Sequence, residues 1–397
     1  MLIFPCITAL AFLAASETAP AAAASAPPPP PPPLATAEQW GVWELSLTGP
    51  SDDDVANPFE DVAFNASFTL ANTTTVAITG FYDGSGTYVV RFSPPLPGSW
   101  RFETRANARA LSGHSGSFVV VAAAAGHHGP VRSRGHDLVH ADGTRHVSTG
   151  TTCYQWASMP LATQRETLAT LTSTSGQPGT SMGAFNKIRM TVFPKWYEYN
   201  HQNPVEVGAP FAILPHSPAA NETSWGCVGG GCPTLAGSFD PRRFNVSFWR
   251  NFEGLVRQLG AAGIVADVIL FHPYDDGHWG FDCLGGRDGA SYSTANDDFY
   301  LRYAVARLSA FSNVWWAMAN EWSFCACKSF NATADNGPRT PVWDHLFRTL
   351  RDADPYGRQT SIHNGNLLYN HSQVGGSVGR SMGRSMGRSV WWVREIE

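Results

Sequence analysis

The stretch Val314-Trp315-Trp316-Ala317-Met318-Ala319 is apolar at every position, is only strand-length, and stops at Asn320-Glu321. A strand with one wet face would alternate apolar and polar residues, and this one does not. The pattern predicts a strand of a parallel sheet covered on both faces. A carboxylate just past the end of such a strand is hard to explain as packing. Barrel enzymes built from βα units hold reacting groups at strand ends, where the strand fixes the side chain and the loop admits substrate. A solvated loop Glu would give the same dipeptide, so the other strand ends decide between the two.

Four further runs have strand character: 146–156, 186–194, 264–271 and 359–364. Helix-like segments alternate with them at 165–171, 247–262, 297–311 and 343–350. The helix at 247–262 repeats apolar residues at Phe248, Phe252, Leu255, Val256 and Leu259, one face of a helical period. Repeated βα units imply a parallel sheet, and the long insertions suit a (β/α) barrel over 130–372. Each strand exit carries polar or aromatic groups: Tyr154 and Trp156; Arg189, Lys195 and Trp196; His272, Tyr274 and Asp275; Asn320 and Glu321; His363 and Asn364. In a barrel these exits open on one face, which makes them one pocket and favours a functional Glu321. An eight-stranded barrel takes roughly 200–250 residues. Five strands precede the low-complexity 373–397, with its repeated Gly-Arg-Ser-Met, so the sequence predicts a barrel incomplete at its C-terminal side.

Upstream, 38–122 reads as six or seven short strands, among them Val62-Ala63-Phe64-Asn65-Ala66-Ser67-Phe68 and Tyr88-Val89-Val90-Arg91-Phe92. Turn chemistry at Asp83-Gly84-Ser85-Gly86 and Pro94-Pro95-Leu96-Pro97-Gly98 separates them. Strands at this spacing suggest an immunoglobulin-like β-sandwich, with a link near Ala122 to Pro130. The expected fold class is therefore multidomain β plus α/β, a sandwich followed by an incomplete TIM barrel. Before the sandwich, 1–24 reads as a secretory signal and 25–37 as a stiff linker with seven consecutive prolines, Pro27 to Pro33. Six Asn-x-Ser/Thr sequons, at Asn65, Asn72, Asn221, Asn245, Asn331 and Asn370, fit a secreted, extracellular glycoprotein. Signal removal leaves six of the seven Cys. Cys227 and Cys232 flank a Val-Gly-Gly-Gly turn and form a local disulfide candidate; Cys153, Cys283, Cys325 and Cys327 have no pairing readable from sequence.

Fourteen Trp with only 15% charged residues suit a neutral ligand with ring faces, such as a sugar, and equally suit a Trp-rich core. The net charge is −5 with no basic stripe, so nucleic acid and anionic membrane surfaces are not expected partners. No resident metal or cofactor is expected. A metal-dependent hydrolase using His272, Asp275, Asp276 and His278 is a competing reading on spacings that suit a polar loop as well. A non-catalytic carbohydrate-binding protein with an aromatic cleft is another.

Trp43-Glu44-Leu45, Phe81-Tyr82-Asp83-Gly84 and Pro97-Gly98-Ser99-Trp100 resemble the immunoglobulin-like domain that precedes many bacterial-type glycoside hydrolase barrels. Gly150-Thr151-Thr152-Cys153-Tyr154, Phe185 to Met190, Phe271-His272-Pro273-Tyr274-Asp275 and Trp315 to Glu321 resemble the apiosidase-like glycoside hydrolases, in the large clan of retaining (β/α)8 glycosidases. The resemblance spans about Trp40 to His371. It implies that Glu321 is the catalytic acid/base and that Asn320 bonds the sugar 2-hydroxyl. Arg189 would be the clan's arginine near the nucleophile. Tyr154, Trp156, His272, Tyr274, Asp275 and His363 are expected around the substrate from their places at the strand exits. The clan's nucleophile is a Glu after strand seven. No matching residue is found here, and Glu395 and Glu397 in the tail are not assigned that role.

Overall fold

Phe68 and Phe92 stack 4.2 Å apart between two β-sheets, and the first part of the fold is built around that contact. The structure, a computed structural model, describes residues 35–71, 74–173, 185–194, 207–221, 237–272, 279, 294–322 and 340–364. In chain order the first strands are β1 (Thr36–Glu38), β2 (Trp43–Thr48), β3 (Phe64–Leu70), β4 (Thr74–Thr79), β5 (Phe81–Tyr82), β6 (Thr87–Phe92), β7 (Gly98–Ala106) and β8 (Ser115–Val121). A single helical turn, α1 (Pro58–Asp61), sits between β2 and β3. One sheet has the order β1-β8-β7-β3-β4 and the other β2-β6-β5. Along β3 the period is two: Phe64, Ala66 and Phe68 are buried while Asn65 is exposed. The inward residues of both sheets meet in one core with Trp100 and Phe118. The β5–β6 hairpin turns where the sequence placed a turn. Gly84, Ser85 and Gly86 all have positive φ there, +84°, +50° and +71°, which glycine adopts at no steric cost.

Next comes a small antiparallel sheet absent from the sequence reading: β9 (Val131–Arg134), β10 (Asp137–His140) and β11 (Arg145–His146). The strand expected over 146–156 is thus divided. His146 pairs with Leu138, β12 is only Gly150–Thr152, and Trp156 starts a 3₁₀ turn. The chain turns in there because the Trp156 indole is fully buried and donates to the carbonyl of Gln164 at 3.2 Å.

The remaining elements are α2 (Leu161–Thr172), β13 (Lys187–Thr191), β14 (Phe211–Ile213), β15 (Phe239–Phe244), α3 (Val246–Ala261), β16 (Val265–Phe271), α4 (Ala295–Leu308), β17 (Val314–Ala319), α5 (Thr340–Ala353) and β18 (Thr360–Ser361). Strands β12-β13-β16-β17-β18 form an all-parallel sheet of five. The strand order follows the chain. Among the described residues this sheet does not close on itself, so β12 and β18 are edges and the expected barrel is not seen as a closed one.

Helix α3 starts because the Asn245 side chain accepts from the Phe248 amide, an N-cap, and it ends before Gly263 at φ +72°. Its apolar face, Phe248, Phe252, Val256 and Leu259, packs on Ile188, Met190, Val268 and Leu270, all fully buried. Burying each such side chain contributes about 1.5–3 kcal/mol. The Tyr300 hydroxyl of α4 donates to Leu270 O at 3.0 Å, and Trp343 of α5 packs edge-on against Phe271. This is one face of the parallel sheet. On the other face Val265 and Trp315 meet Val131 and Leu138 of the small antiparallel sheet.

The described residues, which begin at Ala35, belong to one compact unit. Phe81 and Val89 of the β-sandwich lie in the same core as the helices. Arg91 of β6 donates to Glu253 of α3 at 2.9 Å and to the carbonyl of Arg307 at 2.7 Å. Arg307 in turn bonds Glu253, Asp83 and the Tyr303 hydroxyl. Burial disfavours these charges, but the opposite charges outweigh it: Arg91 and Arg307 are held above the ordinary guanidinium range and Glu253 below the ordinary carboxylate range.

Candidate active site

The fourth parallel strand delivers its end as the sequence predicts. Val314 to Ala319 are buried at every position. Asn320 continues the ladder, its amide donating to Phe271 O at 2.9 Å. The backbone then leaves the sheet at Glu321, whose φ is +50°. A Cβ-bearing residue in the left-handed region costs about 1–2 kcal/mol, a strain that clusters at functional sites. It is held by bonds on both sides: the Trp322 amide donates to His363 O at 3.2 Å and the His363 amide to Ala319 O at 2.9 Å.

Three strands contribute side chains to this turn. Arg189 of β13 donates through Nη2 to Asn320 Oδ1 at 3.2 Å. The Tyr154 hydroxyl, beyond β12, reaches the same oxygen at 3.5 Å. With its oxygen so occupied, Asn320 turns Nδ2 to Glu321 and donates to Oε2 at 3.3 Å. Asn320 is buried while Glu321 is half-buried. The arrangement is a fixed chain from a guanidinium through an amide to one carboxylate oxygen, open to solvent at the carboxylate end. It can orient a carboxyl group for proton transfer.

Two histidines flank the group. His272 at the end of β16 is buried and donates from Nε2 to Phe193 O at 3.3 Å, the direction a carbonyl acceptor requires. His363 is half-buried and follows β18. Trp322 is buried and its indole donates to Asn364 Oδ1 at 3.0 Å. Trp156 is not brought to the cluster; it sits in the core under the 3₁₀ turn. Tyr274 and Asp275, together with Asp276, His278, Lys195 and Trp196, lie outside the described residues, as do Cys227, Cys232, Cys283, Cys325 and Cys327. Cys153 is a half-buried free thiol whose pKa burial raises. Among the described residues no group of three or more His, Cys, Asp and Glu could hold a metal.

The sequence reading passed over Lys187, Asp267 and Trp315, which share the inner sheet face with Arg189. Lys187 Nζ lies 3.3 Å from Asp267 Oδ2. The signal was present: Asp267 interrupts an otherwise apolar strand, and Lys187 stands two residues before Arg189, on the same face.

Residues 36–107 match a sequence family described as a domain of unknown function, DUF5060. The fold is similar to that of a Bacteroides vulgatus ATCC 8482 protein described as a candidate glycoside hydrolase, with 34% identity, a TM-score of 0.68 and coverage of 85% of this chain and 57% of that one. This chain therefore spans little more than half of that relative's length. A family 5 glycoside hydrolase from the same bacterium matches at 12% identity and TM-score 0.35, covering 59% of this chain and 39% of that one. The endo-1,4-beta-mannanase of Rhizomucor miehei matches at 12% identity and TM-score 0.38, covering 59% and 60%. Likeness at that level carries no argument. No curated protein matches the chain.

Proposed function

We propose that this chain carries the general-acid side of a retaining glycoside hydrolase, with Glu321 as the acid/base and carbohydrate as the substrate. The observation that carries the reading is the bonded chain Arg189–Asn320–Glu321 at the ends of parallel strands. The likeness to a candidate glycoside hydrolase at 34% identity supports a carbohydrate-active role.

In this reading the β-sandwich is an immunoglobulin-like accessory domain and the parallel sheet belongs to a (β/α)8 barrel of the apiosidase-like group. Glu321 hands a proton to the departing glycosidic oxygen as the sugar–oxygen bond breaks, then takes one from the water that releases the sugar. Retention requires a second carboxylate about 5–5.5 Å from the acid, to attack the anomeric carbon. No described residue is assigned to it. Asn320, fixed by Arg189 and Tyr154, is placed to bond the sugar 2-hydroxyl. His272 and His363 line the approach, and Tyr274 and Asp275 are assigned to the substrate by their position in the sequence at a strand exit. Secretion is part of the proposal, supported by the signal-like 1–24 and six sequons.

The test is turnover of a panel of alkyl and aryl glycosides, with the anomeric configuration of the first product followed by proton NMR. Retained configuration is expected. Glu321→Gln should abolish cleavage of alkyl glycosides yet leave the first step on dinitrophenyl glycosides near normal, because that leaving group needs no proton. Equal loss on both in that step would remove Glu321 from the role. Saturable binding of oligosaccharides with no cleavage would instead make the chain a carbohydrate-binding protein.

A further inference from the structure

On the same sheet face as Arg189 lies a second cluster that the proposed chemistry does not use. Parallel register sets Arg189, Asp267 and Trp315 side by side on β13, β16 and β17. Lys187 Nζ, bonded to Asp267 Oδ2, also stands 5.7 Å from the centre of the Trp315 ring. These four side chains line a cavity of about 90 Å3 together with Ser361 and His363. Arg189, Asp267 and Trp315 are 9%, 3% and 8% exposed.

Three polar atoms of this row, Arg189 Nε, Asp267 Oδ1 and Trp315 Nε1, have no hydrogen-bond partner among the described residues. A buried polar group left in that condition costs about 1–3 kcal/mol. The Lys187–Asp267 pair accounts for one carboxylate oxygen and leaves the other unexplained. Two donors and one acceptor around a polar space suit water, and a cavity of about 90 Å3 is large enough to admit it.

The charges add a second consequence. Lys187 and Arg189 carry two positive charges against the one negative charge of Asp267, on the face from which Arg189 reaches Asn320 and, through it, Glu321. Among the described residues, the titratable and charged groups on the elements around Glu321 are Tyr154, Lys187, Arg189, Asp267, His272 and His363.

We propose that Asp267 is a positioning residue: through water bonded to its Oδ1 and to Arg189 Nε it steadies the guanidinium that holds Asn320, and with Lys187 it sets the charge that Glu321 feels. The effect on turnover rests on the reading of Glu321 as the acid; the electrostatic coupling does not.

Carboxyl-13C NMR of the full-length chain, labelled at Glu, reads the coupling without activity. The Glu321 resonance is assigned by its loss in Glu321→Gln. Asp267→Asn leaves two cations unopposed and should lower the Glu321 titration midpoint by about two or three tenths of a pH unit. Lys187→Met should raise it by a similar amount. The paired variant Asp267→Asn/Lys187→Met should return it close to the parent value, an opposition that a merely structural role would not produce. Should Asp267→Asn fail to fold, Lys187→Met decides alone: a raised midpoint supports the proposal and an unmoved one overturns it. Unmoved midpoints in folded variants, with Glu321→Gln still abolishing cleavage, would overturn the positioning role and leave the proposed function standing. Opposite shifts in a chain that cleaves nothing would do the reverse.

Discussion

Nη2 of Arg189 lies 3.2 Å from Oδ1 of Asn320 although β13 and β17 are not neighbours; β16 runs between them. Two strand spacings come to about 10 Å, a distance that a long guanidinium arm and a short amide close together. The bond decides which way the Asn320 amide faces. With the oxygen committed to Arg189, the nitrogen is left for Glu321, and a carboxylate can only accept.

Asn320→Ala should therefore do more than empty a space. It frees Glu321 Oε2 and removes the proposed donor to the sugar, so kcat/KM on a natural-type substrate should fall on the order of 10²-fold, the usual scale for one lost transition-state donor. Stability should fall too, by about 1–3 kcal/mol, because Arg189 loses a buried acceptor. Steady-state kinetics and urea unfolding check the two effects. Unchanged kcat/KM would remove Asn320 from the site.

The strained backbone at Glu321 gives a separate expectation. Glu321→Ala keeps a Cβ in the left-handed region and Glu321→Gly does not. The glycine variant should be the more stable of the two by about 1 kcal/mol, with both inactive in the proposed reaction. Urea midpoints measured side by side test this. An alanine variant as stable as the glycine one would mean that the turn is not strained.

The parts of the site that sequence made legible are those where a local pattern breaks. Val314 to Ala319 declares a doubly covered strand, and Asn320-Glu321 stands out because polarity begins where burial should end. Helix α3 was legible from its period, and its observed bounds, Val246–Ala261, fall within a residue of the expected 247–262. Asp267 and Lys187 were passed over because a charge inside a strand looks like noise until parallel register sets it beside Arg189. Trp156 was assigned to the substrate because aromatic residues at strand exits suit sugars. Nothing local reveals that its indole turns inward to Gln164. The β9–β11 sheet went unread although Asp142-Gly143, with Gly143 at φ +91°, marks its second turn. Its strands are too short for periodicity to register.

The junction between the β-sandwich and the helices should be costly to break at its centre and cheap at its rim. Glu253 is buried between Arg91 and Arg307. Removing it as Glu253→Ala leaves both cations short of a counter-charge, at about 3–5 kcal/mol. Arg257 bonds Glu44 at the same junction, but its side chain is 47% exposed. Arg257→Ala should cost about 1 kcal/mol or less. Urea unfolding of the two variants compares them, and equal losses would mean that the buried network does not hold the junction.

The last expectation concerns acid. His146 is held at about 4, first by burial and then by the neighbouring His140 and Lys187. His140 Nδ1 donates to Gly129 O at 3.0 Å, so its Nε2 is left to accept from His146 Nδ1 at 3.3 Å. That fixes His146 Nε2 as the nitrogen without a proton, and it has no partner among the described residues. In the unfolded chain the imidazole returns to its ordinary value of 6.5. Between pH 6.5 and 4 the unfolded state therefore binds a proton that the folded state refuses, and stability must fall as pH falls through that window. Above pH 6.5 this group contributes no slope. His146→Phe keeps a ring against Trp315, whose centre is 5.7 Å away, and cannot titrate. Urea midpoints from pH 7.5 down to 4.5 should drop more steeply for the parent chain than for His146→Phe, so that the variant gains on the parent as pH falls. Parallel curves across that range would mean that His146 takes its proton as readily folded as unfolded, and that the cover over Trp315 is open to water.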